Sequence, residues 1–147
     1  MGTRLSERRR SILITDDDAV TRESLREALE PEGFHTYMAS CGEEAIDIVR
    51  EREVHLALLD MHLPRLTGLE TLRIVKEIKR PLPCIILTAD VSDQLLHEAL
   101  SLQAFSVIAK PVSKHLVVYM VTRALRRPGS LPWELPEEGR EPTGPLA

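Results

Sequence analysis

At 147 residues, 43% hydrophobic and 29% charged, the chain is long enough for one domain with a proper core and has the balance of a soluble globular protein. A formal net charge of −4 gives no global electrostatic footprint for nucleic acid. No apolar run approaches the roughly 20 residues that span a bilayer, and the first residues carry charge where a secretory signal is apolar. Direct nucleic-acid binding and membrane insertion are set aside on these grounds. Cys41 and Cys84 have no metal-ligand spacing and read as reduced thiols of a cytoplasmic protein. With aromatics at 3%, aliphatic side chains must build the core.

Residues 1–10 read as a flexible basic leader, with Arg8-Arg9-Arg10 a solvated arm. Ile12-Leu13-Ile14-Thr15 is a short β-rich run that stops at Asp16-Asp17-Asp18. From Ala19 the spacing turns helical, with Val20, Leu25, Ala28 and Leu29 assigned to one face and Gly33 placed as the C-terminal cap. Phe34 to Met38 alternates as a second strand. Ser40-Cys41-Gly42-Glu43 fits a capping box for a helix carrying Ala45, Ile46, Ile48 and Val49. The run Val54 to Leu59, apolar except for His55, predicts a third strand covered on both faces, closing at Asp60 before a turn at Pro64.

Thr67 to Lys79 predicts a third helix with Leu69, Leu72, Ile74, Val75 and Ile78 on its apolar face; Pro81 and Pro83 end it. Cys84 to Leu87 is a fourth strand, ending at Thr88. Ser92 or Asp90 caps a fourth helix that runs through Leu102 with Leu95, Leu96, Ala99 and Leu100 inward. Phe105 to Ala109 is a fifth strand, ending at Lys110-Pro111. The fifth helix, from Ser113 to Arg127, is apolar over a wide arc: Leu116, Val117, Val118, Tyr119, Met120, Val121, Ala124 and Leu125. Residues 128–147 hold five prolines and three glycines and read as a Pro-rich disordered tail or linker, with Trp133 a residue that could dock.

Five strand-helix units in strict alternation predict an α/β fold, a doubly wound five-stranded parallel sheet with right-handed connections and strand order 2-1-3-4-5. Ligands in such sheets bind at the carboxyl edge, in the crevice between strands one and three. The chemistry-bearing residues all follow strands: Asp16 and Asp17 the first, Asp60 the third, Thr88 the fourth, Lys110 the fifth. Asp60 alone reads equally as a turn-capping residue. Together the carboxylates repel unless a cation joins them, and an oxygen-only ligand set suits Mg²⁺. A hydroxyl and an ammonium beside them serve an anion with several oxygens. A carboxylate nucleophile, a divalent metal, a hydroxyl and a lysine make a site for phosphoryl transfer onto an aspartate.

The set Ile12-Leu13-Ile14-Thr15-Asp16-Asp17-Asp18, Leu59-Asp60-Met61-His62-Leu63-Pro64 with Gly68, Leu87-Thr88-Ala89, and Lys110-Pro111 strongly resembles the receiver domain of two-component response regulators, over residues 11–127. The resemblance implies a flavodoxin-like, CheY-like fold. It implies that Asp60 is the phosphoacceptor, taking a phosphoryl group from a sensor histidine kinase or a His-phosphotransfer protein in a phosphorelay. Asp16 and Asp17 would hold Mg²⁺ with Asp60 and the main-chain carbonyl of His62, Asp17 as the direct ligand and Asp16 largely through water. Thr88 and Ala89 would contact the phosphoryl group, Thr88 moving with it, and Lys110 would pair with it. The bond before Pro111 is typically cis in this family. His62 and Asp90 occupy positions that tune phosphoryl lifetime in the family, and two arrangements are open: an imidazolium–carboxylate pair across the site mouth, or two separate solvated side chains. Asp18 is assigned to starting the helix.

Where the family usually has Tyr or Phe, three residues before the lysine, this chain has Val107; Phe105, two residues earlier on the same strand face by period two but at its far end, is assigned to the core. The signal would then pass by shifts of the loop after the fourth strand, or by association. The face formed by the fourth helix, fifth strand and fifth helix is expected to carry a homodimer or output-partner contact. The resemblance implies a signalling phosphoacceptor and not an enzyme in the ordinary sense. The alternatives are a phosphorylation-independent pseudo-receiver and, further off, an aspartyl-phosphate phosphatase, whose motif Asp16 to Val20 imitates without its threonine.

Overall fold

The computed structural model describes residues 9–126. Strands β1 (Ser11–Thr15), β2 (His35–Ala39), β3 (Leu56–Asp60), β4 (Cys84–Thr88) and β5 (Ser106–Ala109) form one parallel sheet in the order β2-β1-β3-β4-β5. Between them run α1 (Ala19–Leu29), α2 (Gly42–Glu51), α3 (Gly68–Ile78) and α4 (Asp93–Ser101), and α5 (Lys114–Arg126) follows β5. A 3-10 turn, Glu30–Glu32, closes α1.

The three central strands are buried along their whole length because both faces are covered, which is why they read as continuous apolar runs. Alternate residues go to opposite layers. Ile12, Ile14, Leu58, Ile85 and Leu87 pack under Leu25, Ala28 and Leu29 of α1 and Val117, Val121 and Ala124 of α5. Leu13, Ala57, Leu59 and Ile86 pack under Ala45, Ile46 and Val49 of α2, Leu72 and Val75 of α3 and Ala99 of α4. Each such fully buried aliphatic side chain contributes about 1.5–3 kcal/mol. Phe105, just before β5, is buried in the first layer and so is a core residue, but it lies on the opposite face of the sheet from Val107, whose face it was expected to share.

Helix starts carry the loops that matter. Asp18 caps α1, its carboxylate accepting from the Val20 amide. Ser92 caps α4, and Gly33 ends the 3-10 turn in the left-handed region at φ 98°. At the start of α3, Thr67 and Glu70 form a reciprocal capping box. Gly68 is required next to it: a Cβ there would lie 2.3 Å from the Asp60 carbonyl oxygen and 2.7 Å from Met61 Cα. The first turn of α3 is therefore pressed directly on the end of β3.

Several expectations are corrected. The capping box expected at Ser40–Glu43 does not form: Cys41 is the cap of α2, and its side chain makes no capping bond. Glu43 is drawn off by Arg65, and the Ser40 amide and hydroxyl both donate to Glu44 instead. Val20 is 76% exposed, because five residues before Leu25 is 500° of helix, well off the buried face. Ile78 is exposed at the end of α3, and Leu96 and Leu100 are half-buried. Of the wide apolar arc on α5, Leu116 (41%) and Tyr119 (58%) face outward. Arg9 and Arg10, placed in the loose leader, are tied down: the Arg9 guanidinium donates to the Gly33 and Phe34 carbonyls, and the Arg10 carbonyl accepts from the His35 amide. The rest of the leader, and the tail with Trp133, lie outside the described residues.

Candidate functional site

The carboxyl edge of the sheet gathers the residues that end β1, β3, β4 and β5. The carboxylates of Asp16, Asp17 and Asp60 each offer an oxygen within 4.8 Å of the others. Asp16 and Asp60 are buried, whereas Asp17 is exposed. Lys110, carried in from the end of β5, lies between the two buried acids, its Nζ 2.9 Å from Asp16 Oδ2 and 3.0 Å from Asp60 Oδ1. The Lys110 amide donates to the Thr88 carbonyl, which fixes β5's exit against that of β4, and the Lys110–Pro111 peptide is cis.

Asp16 is held at each of its polar groups. Its amide donates to the Ala39 carbonyl at 3.1 Å, and Oδ1 accepts from the Asp18 amide at 2.9 Å. Oδ2 takes Lys110, and its carbonyl accepts from Arg22 Nη1 at 2.6 Å. Asp60 is less saturated. Its Oδ1 takes Lys110 and a long 3.4 Å bond from the His62 amide, while no hydrogen bond is made by Oδ2. The Met61 amide continues the strand ladder to the Leu87 carbonyl, and Gly68 donates back to the Met61 carbonyl. Thr88 is buried, and its hydroxyl accepts from the Asp90 amide at 3.0 Å, leaving its own proton free for an acceptor above the site.

The electrostatics follow from this crowding. Burial, with the charge of Asp16 added, pushes the Asp60 carboxyl above its ordinary range even though Lys110 pulls the other way. Burial alone would lower the Lys110 ammonium, but its bonds to Asp16 and Asp60 outweigh that and hold it above its usual value. One cation thus serves two carboxylates and a third stands by. The donor set is oxygen-only and carries excess negative charge, which fits a hard divalent ion and not a soft one.

His62 and Asp90 are both exposed and line one hollow of about 190 Å³ at the mouth, with Met61, Thr88 and Leu95. Among the described residues no ion pair joins them: exposed charges gain little by pairing, and nothing on either loop fixes the two side chains together. Ala89 is exposed beside Thr88, and Val107 is half-buried against the layer under α2, α3 and α4. Asp18 is a cap and not part of the triad, its carboxyl held low by Thr21 and the Val20 amide. Reading the sequence overlooked Arg22. A cation in the opening turn and a half of α1 opposes the helix dipole, and that was the available signal.

The model of the response regulator receiver domain matches residues 12–122. Response regulator RR06 of Streptococcus pneumoniae is 32% identical over 117 residues, 80% of this chain and 54% of RR06, so the chain spans about half the length of that relative. Sporulation initiation phosphotransferase F of Bacillus subtilis is 38% identical over 100 residues, covering 68% of this chain and 81% of the relative. Among solved structures, a CheY-like response regulator receiver domain protein from Methanospirillum hungatei superposes with a TM-score of 0.78 at 27% identity, over 80% of this chain and 94% of the other. Among the described residues no helix is long and apolar enough to cross a membrane.

Proposed function

The chain belongs to the response regulator receiver domains, the phosphoacceptor modules of two-component signalling, and we propose that Asp60 is its acceptor. The observation that carries this reading is the division of the Lys110 ammonium between Asp16 and Asp60, with Asp17 closing the triad and the Thr88 proton free beside it. Asp60 Oδ1 is occupied by Lys110, so Oδ2 is the oxygen presented to phosphorus. Attack by Oδ2 forms the acyl phosphate as the phosphorus–nitrogen bond of a phosphohistidine donor breaks, and the leaving imidazole keeps the electron pair and takes a proton from solvent.

Asp16, Asp17 and Asp60, with the His62 main-chain carbonyl, are the residues that would hold Mg²⁺, whose charge when bound offsets that of the phosphoryl oxygens. The other phosphoryl contacts come from the chain itself: the Lys110 ammonium, the Thr88 hydroxyl and the Ala89 amide. His62 and Asp90, on the rim, tune how readily water reaches the acyl phosphate. The donor is a sensor histidine kinase or a His-phosphotransfer protein in the cytoplasm. The module is a signalling phosphoacceptor that catalyses its own phosphorylation and dephosphorylation. With Val107 in place of an aromatic switch, the loop Thr88–Ser92 carries the change to the face of α4, β5 and α5, where exposed Leu116 supports a homodimer or output contact.

The test is intact-protein mass after incubation with Mg²⁺ and acetyl phosphate. A single acid-labile phosphoryl adduct is expected, absent from Asp60→Asn and from metal-free protein. An adduct that survives in Asp60→Asn moves the acceptor to another residue, and no adduct, with a phosphohistidine donor failing as well, overturns the assignment in favour of a phosphorylation-independent interaction module.

A further inference from the structure

We propose that Arg22 is a positioning residue for the metal-binding acids: by holding the Asp16 carbonyl it fixes the direction in which Asp17 points. The inference rests on the reading of Asp16, Asp17 and Asp60 as a divalent-metal site.

The exposed Asp17 carboxylate has no hydrogen-bond or ion-pair partner among the described residues, so no side-chain contact aims it. Its direction is inherited from the main chain. On the C-terminal side that chain enters α1, where the Asp18 cap and the bond from the Arg22 amide to the Asp18 carbonyl fix it. On the N-terminal side, the peptide plane between Asp16 and Asp17 sets the Asp17 backbone. The carbonyl of that plane is held by the guanidinium, at 2.6 Å. Without it, the plane can rotate about the Asp16 and Asp17 dihedrals, although the Asp16 side chain stays pinned by Lys110 and the Asp18 amide.

Arg22 also lies in the field of an acid from the neighbouring loop. Glu44, bonded to the Ser40 amide and hydroxyl, bears a charge that interacts with the guanidinium, and the Ser40 bonds first and Arg22 second keep its carboxyl low. The end of β2 supports the loop that follows β1 through the bond from the Asp16 amide to the Ala39 carbonyl. Groups that orient metal ligands from behind typically matter by 10–100-fold in affinity. A backbone carbonyl that water can also solvate belongs at the lower end.

The experiment is calorimetric titration of Mg²⁺ into the full chain as wild type, Arg22→Gln and Arg22→Lys, with thermal midpoints and amide hydrogen exchange at Asp17 and Asp18 in metal-free protein. Arg22→Gln is expected to bind Mg²⁺ about tenfold more weakly and to exchange faster at the Asp18 amide, which is bonded to Asp16 Oδ1, with Arg22→Lys, which keeps a charged donor, recovering most of both. Affinity equal to wild type in Arg22→Gln overturns the inference while leaving the metal site standing. So does a loss that Arg22→Lys shares in full and that follows the thermal midpoint, since that marks a merely structural role. Wild-type protein that takes no Mg²⁺ overturns the metal reading itself, and this inference with it.

Discussion

The two edges of this sheet handle charge in opposite ways. At the amino edge, long cations end on main-chain carbonyls: Lys79 on Val54, Lys76 on Leu82 and Arg80, Arg9 on Gly33 and Phe34. His55 closes a two-bond ring with Ser11, its Nδ1 accepting from the Ser11 amide at 2.9 Å and its own amide donating to the Ser11 carbonyl at 2.8 Å. At the carboxyl edge, two buried carboxylates share one lysine, a third has no partner among the described residues, and a helix is pressed on the end of β3 without room for a methyl group. Charge is dissipated at one edge and concentrated at the other. The first arrangement favours folding, and the second holds perturbed groups ready for chemistry.

Four substitutions would break or sharpen that contrast. The largest effect is expected from Gly68→Ala, because the atoms in the way of its Cβ are backbone and cannot rotate aside. A loss of about 3 kcal/mol in urea unfolding is expected, together with slower adduct formation as Asp60 shifts. A variant that keeps both properties would show that the contact at the acceptor strand has slack. Asp60→Asn is expected to move stability the other way. Burial and Asp16 hold the Asp60 carboxyl above its usual range, so its contribution is fully present below the ordinary carboxylate pKa and is lost as pH rises through the raised value. Removing that ionisation should gain on the order of 1 kcal/mol at pH 7, about 4 °C in Tm, in metal-free buffer, and the gain should fade in acid. Equal Tm values at pH 7 would deny that the carboxyl edge stores unfavourable charge.

Thr67→Ala removes one half of the capping box beside the site and should cost about 1 kcal/mol in the same unfolding experiment without touching metal affinity. At the amino edge the expected effect is smallest. Burial holds the His55 imidazole below its ordinary value, so it favours the fold above the unfolded value near 6.5 and that help is lost as pH falls through the lowered one. His55→Asn should flatten the decline of stability between pH 7 and pH 5 by less than about 1 kcal/mol. An unchanged pH profile would assign the decline to other groups.

The order of elements and the convergence of Asp16, Asp17, Asp60, Thr88 and Lys110 on one edge were legible because each depends on periodicity: apolar runs that stop at a polar residue, alternating with helical faces. What was not legible depends on choice among neighbours. Ser40 had two glutamates within reach, and Arg65, 22 residues beyond Glu43, decided which one it received. Val20 looked apolar enough for the core but stands at the wrong angle on α1. His62 and Asp90 sit on loops whose side chains no pattern orients. Arg22, Lys76 and Lys79 act through bonds from flexible side chains to main-chain carbonyls, and such bonds leave no trace in residue spacing.

Cys84 opens β4 at the centre of the sheet, fully buried, with its thiol pushed up to about 12 by burial. Alkylating reagents need a thiolate they can touch, and this sulfur offers neither exposure nor charge while β4 is in place. The labelling rate of Cys84 at neutral pH therefore measures how often β4 comes free. The molecule carries its own clock for opening, read at a native sulfur, against which ligand binding at the carboxyl edge of the sheet can be timed.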